Sequence, residues 1–126
     1  MKWLIRGLSL KLDFEDFETG KRIDHAFQTM EEEEKQILNR EYPGISEKIR
    51  DYCNMYRNLF TNLFGAETAG QIFQNIPENS RDYDDIYLSF LRYSQAARLE
   101  AADKRAKKFR FPTVKQKHAK KRKKKC

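Results

Sequence analysis

Asp82, Asp84 and Asp85 form a close set of carboxylates, and three acids within four residues suggest a cation site or a shared proton. Their setting argues otherwise. They follow Ser80, a candidate helix N-cap, and acids in a first helical turn ordinarily answer the positive end of the helix dipole. Glu31 to Glu34 are four adjacent carboxylates. On a helix, neighbours are separated by about 100°, so this run spreads around the axis as a solvated face or a helix end and does not converge on an ion. His25 and His118 stand in no metal-ligand spacing with a cysteine or with each other. Cys53 lies in an apolar helical pattern, where a small buried thiol accounts for it. With no glycine-rich phosphate loop and no nucleophile paired to a base, the sequence predicts no enzyme, no metal and no cofactor.

The other chemistry is electrostatic. Residues 104 to 126 hold 13 of the 26 basic side chains and no acid, while the first 103 residues hold the other 13 against all 19 carboxylates. The formal +7 is thus the sum of a body near −6 and a tail of +13. Lys120, Lys121, Arg122, Lys123, Lys124 and Lys125 form a run suited to anionic partners. Contacts to seven or so phosphates would give useful, salt-sensitive affinity with little sequence preference. The same run fits a nuclear localisation signal or a merely solubilising extension. Beyond residue 111 there is too little apolar surface to offset ordering entropy, so residues 112–126 are expected to be disordered.

A body of roughly 100 residues can bury one modest core. Two cysteines make no disulfide framework, the N-terminus lacks the apolar run of a signal peptide, and no stretch reaches the roughly 20 apolar residues of a membrane span. The expectation is a soluble intracellular protein with no membrane partner.

The elements follow from periodicity. Trp3 to Ile5 and Leu8 to Phe14 are β-prone runs around a tight Arg6-Gly7 turn, the second alternating apolar with polar residues. From Asp16, a plausible N-cap, the spacing of Phe17, Ile23, Phe27 and Met30 is near-helical. Asn39 to Gly44 is a connector. Ile45, Ile49, Tyr52, Cys53, Tyr56, Leu59, Phe60, Leu63 and Phe64 step by three and four, defining an amphipathic helix of about five turns that ends at Gly65. Thr68 to Phe73 adds a turn or two. A last helix opens at Ser80 and carries Tyr83, Ile86, Tyr87, Phe90, Leu91, Ser94 and Ala97 on one stripe. The predicted fold is mainly α: a hairpin over residues 1–15, a continuous helical domain of three to four helices over 16–111, and a basic tail.

Three segments carry a family resemblance: IRGLSLKLDFEDFETGKRIDHAF, IRDYCNMYRNLFTNLFGAETAGQIF and YLSFLRYSQAARLEAADKRAKK. In layout, and in the hairpin, the acidic start of the first helix and the NLFGAETAGQIF segment, the chain resembles tail assembly chaperone-like proteins of phages and prophages of Gram-positive bacteria. The resemblance spans nearly the whole chain and implies a non-enzymatic role. Such proteins coat the aggregation-prone tape measure protein in the host cytoplasm and are absent from the finished virion. They are mostly helical and often self-associate, and many have a longer form made by ribosomal frameshifting. The codons of Ala119-Lys120-Lys121 or Lys123-Lys124-Lys125 would suit such a shift. On this reading Trp3, Leu4, Phe60 and Phe64 are candidate contacts for a partner helix or a second copy. Basic tails could also meet the Glu31 to Glu34 face of a neighbouring copy. The alternative is a small nucleic-acid-binding protein working through its tail.

Overall fold

The computed structural model describes residues 1–109; the Lys120 to Lys125 run and the expectation for residues 112–126 lie outside them. Two short antiparallel strands, β1 (Trp3–Ile5) and β2 (Leu8–Leu10), precede four helices: α1 (Phe17–Asn39), α2 (Ile45–Phe64), α3 (Ala66–Ile72) and α4 (Ser80–Lys108). The mainly helical architecture with an N-terminal hairpin is as the periodicity predicts.

In the hairpin, Trp3 pairs with Leu10, Leu4 with Ser9 and Ile5 with Leu8. Its two-residue loop has positive φ at both Arg6 (49°) and Gly7 (81°), the twist that lets two right-handed strands close tightly. A non-glycine residue rarely adopts that conformation, and here Arg6 is tied down at its far end. Its guanidinium donates to the carbonyls of Ile72 (3.0 Å) and Gln71 (3.4 Å). Those carbonyls end α3, where a cation is favoured.

β2 is shorter than the alternating run suggests. Its ladder stops at Leu10 because Trp3, the first residue of β1, is its last partner. Alternation nevertheless continues: Leu12 is buried, Phe14 half-buried, Lys11 and Asp13 exposed. The backbone N–H of Leu12 donates to the Tyr93 hydroxyl on α4 at 2.9 Å, which replaces the missing strand.

Asp16 caps α1 as predicted, accepting from the Thr19 N–H at 2.9 Å. That bond, with the Thr19 hydroxyl, holds its carboxyl below the usual range. Phe17 is not part of the apolar stripe. It is 74% exposed, with Lys21 Nζ 5.4 Å from its ring centre. Six residues separate it from Ile23, which puts it about 120° away from the inward face. Ala26 and Ile37 are the fully packed positions of α1. Glu31 to Glu34 fall inside α1, not at its end; Glu31, Glu32 and Glu34 are exposed, while Glu33 is half-buried and reaches across to accept from Asn58 on α2 at 2.8 Å.

α2 is the central element, packed against α1, α3 and α4. Its predicted stripe is inward except for Ile45, which is 75% exposed in the first turn; Met55, outside the expected stripe, is buried in the core. Gly65, at φ 97°, ends α2 and starts α3 at once. The N-cap of α4 is Asn79, one residue before the predicted Ser80. Its Oδ1 accepts from the Asp82 N–H at 2.7 Å, and asparagine caps as well as serine does.

The core is aromatic. Trp3, 3% exposed, stacks on Phe60 at 5.5 Å and meets Phe90 edge-on at 5.2 Å, while Phe60 and Phe90 touch at 5.5 Å. Trp3 Nε1 donates to Ser89 Oγ at 3.0 Å, so the indole is buried with its polar atom paired. Replacing Trp3 with alanine should cost about 3–5 kcal/mol in urea unfolding followed by circular dichroism. A loss below about 1 kcal/mol would mean that the hairpin is not integral to the core.

Candidate functional site

The structure separates the four predicted contact residues. Trp3 (3% exposed) and Phe60 (0%) are core, so neither presents a surface to a partner. The reason is visible in β1: strand alternation sends Trp3 and Ile5 inward and Leu4 outward. Leu4 is 74% exposed on the outer face of the hairpin. Phe64 is half-buried, 6.0 Å from the Trp3 ring.

The acidic groups do not converge. Asp82 is bonded to the capping Asn79, and Asp84 accepts from the Tyr56 hydroxyl at 2.6 Å. Among the described residues no group of three or more His, Cys, Asp or Glu side chains is placed to hold a metal ion. Cys53 is fully buried, and burial pushes its thiol above the usual value, which makes it a poor nucleophile.

What the fold does present is a cleft of about 420 Å³ between α1 and α4. Phe14, Ile23, Phe27 and Leu91 line it, with Gly20 and Ser94 beside them and Asp24 and Arg98 at its rim. Phe27 stacks on the core ring of Phe90 at 6.3 Å, and Phe14 leans on Tyr93 at 6.0 Å, so the floor is continuous with the core. At Gly20 an added Cβ would meet nothing within 4 Å; the wall there is open. α1 and α4 both rest on α2, and four apolar side chains between them are left half-covered. Ile23, Phe27 and Leu91 read in the sequence as core. Burial of one side of a side chain leaves no mark in a periodicity, so nothing in the sequence separates a core stripe from a cleft.

A second groove runs beside the first turns of α2 and α4, lined by Ile45, Ile49, Tyr52 and Tyr56 with Lys48, Ser80 and Asp84. Here Tyr56 packs against Tyr87 at 5.1 Å. Burial raises the phenols of Tyr56, Tyr83 and Tyr87, and the hydrogen bond to Asp84 raises Tyr56 further. Arg57 donates to both Tyr83 and Glu78, linking α2 to the loop before α4.

These features define a class by architecture: a small helical body with an N-terminal hairpin that offers apolar clefts on its surface. The chain belongs to the family described as "Family of unknown function (DUF6673)", whose model matches residues 6–125, from the hairpin turn through the basic tail. No curated protein and no solved structure matches it. Among the described residues no helix is long and apolar enough to cross a membrane.

Tyr56, Tyr83 and Tyr87, three of the four tyrosines whose phenols are raised, set an alkaline limit. The fold favours their protonated phenols, so this stabilisation is complete below about pH 10 and is lost as pH rises and unfolded phenols ionise. Phenolate absorbance should therefore show these three of the six tyrosines ionising only as helical circular dichroism falls. Tyr56→Phe should make the alkaline loss shallower.

Proposed function

We propose that this protein is a phage tail assembly chaperone, acting without catalysis in the host cytoplasm to hold helical segments of a tape measure protein. The observation that carries the reading is the apolar cleft between α1 and α4. A long tail-length protein exposes amphipathic helices before its tube assembles, and such a helix is recognised by laying its apolar face in a groove. Phe14, Ile23, Phe27 and Leu91 supply the floor of that groove, and Asp24 and Arg98 supply rim charges of both signs. The layout resemblance to tail assembly chaperone-like proteins supports the same reading, and so does the exposed Leu4 on a sheet that has only two strands among the described residues.

The other reading, nucleic-acid binding, rests on charge. Lys104, Arg105, Lys107 and Lys108 crowd the end of α4 and lead into the basic run. The two readings place the working surface at opposite parts of the chain, and so they separate cleanly.

Ile23→Glu and Leu91→Glu sit at half-buried positions and should leave the helical spectrum intact. Each is expected to weaken capture of phage tape measure fragments by about tenfold or more, equivalent to about 1.4 kcal/mol. Removing residues 112–126 should leave that capture unchanged. If truncation instead abolishes a nucleic-acid complex and the cleft variants change nothing, the chaperone reading is wrong.

A further inference from the structure

α4 has a second ordered face. Its core side is Tyr83, Ile86, Phe90, Tyr93, Ser94 and Ala97. Directly opposite run Leu88, Arg92, Gln95, Leu99, Ala102, Ala106 and Phe109, spaced alternately four and three residues apart. That alternation is the seam of a two-helix coiled coil. Every member is exposed, and the large apolar ones are 47% (Leu88), 64% (Leu99) and 65% (Phe109) exposed. The seam continues past Ala97, where α4 has no further core to cover.

We infer that this face pairs with the same face of a second copy, the two α4 helices running antiparallel. Three observations select that occupant. Net charge is divided along the helix: its first two turns carry Asp82, Asp84 and Asp85 against Arg81, and its last two carry Lys104, Arg105, Lys107 and Lys108 against Asp103. Antiparallel pairing sets each acidic end on a basic end, whereas parallel pairing sets like on like. Size is divided too. In antiparallel register Leu88 faces Ala106, Arg92 faces Ala102 and Gln95 faces Leu99, so long side chains meet short ones and the axes approach closely. Parallel pairing would stack Arg92 on Arg92 inside the seam. Finally, opposed helix dipoles add to the match. The contact lies on the back of α4 and is independent of the partner proposed above for the cleft.

Sedimentation equilibrium of the full chain tests it. Across micromolar concentrations the expected species is a reversible dimer, with a mass approaching twice 15.1 kDa. Leu99→Glu, with its helical spectrum unchanged, should weaken the dimer by about tenfold or more, and raised salt should weaken it further. Orientation is read by cross-linking in a Cys126→Ser background. Leu88→Cys mixed with Ala106→Cys should give a disulfide-linked pair, and either alone should not. A monomer at all concentrations, a dimer indifferent to Leu99→Glu, or Leu88→Cys chains that link to each other would each overturn the proposal.

Discussion

Two strands of three residues cannot hold themselves together in water, so the place of the hairpin depends on what Trp3 touches. Its ring lies among Phe60, Phe64, Phe90 and Tyr93, within 5.2 to 6.4 Å of each. Those four rings come from α2 and α4, and the indole therefore joins hairpin and both helices in one contact. The remaining ties reinforce it: Ser89 takes the indole N–H, Tyr93 takes the Leu12 N–H, and Arg6 closes the end of α3. With the hairpin seated against α2 and α4 in this way, Phe14 arrives at the mouth of the cleft between α1 and α4. The proposed site is thus a consequence of the core, because its floor residue Phe27 is stacked on a ring that Trp3 also holds.

Much of this was legible in the residues themselves. The change from alternation to three-and-four spacing located the hairpin and the helices, and Asp16 and Gly65 marked real boundaries. Phe17 and Ile45 are apolar residues in first turns, where a stripe can be extended by one member without any pattern to stop it. Ser80 and Asn79 are equivalent caps by type, and only the bond to the Asp82 N–H distinguishes them. Trp3 and Leu4 read together as partner contacts on the hairpin, yet adjacent strand residues must point to opposite faces. The cleft was illegible for a different reason: whether an apolar face is fully or half covered depends on the angle between helices, which no local spacing encodes.

Charge is unevenly divided between the body and the sequence that follows it. Apart from Glu33 the acids of α1 face solvent, several surface ion pairs lie at 2.6 to 3.8 Å, and such exposed pairs contribute little to stability. What they supply is a mildly acidic exterior around apolar clefts. The basic residues gather at the end of α4, on the far side of that helix from its acidic start. A single long helix therefore contributes a core face, a cleft wall in Leu91, and a graded outer face.

Trp3 has one further consequence, which is optical. It is the chain's one tryptophan, and its ring is sealed between the hairpin and two helices. Indole emission consequently reports the seating of the first ten residues, while far-ultraviolet dichroism reports the helices. The molecule carries a built-in gauge for hairpin release, and the two signals will part company under any condition that lifts the hairpin before the bundle melts.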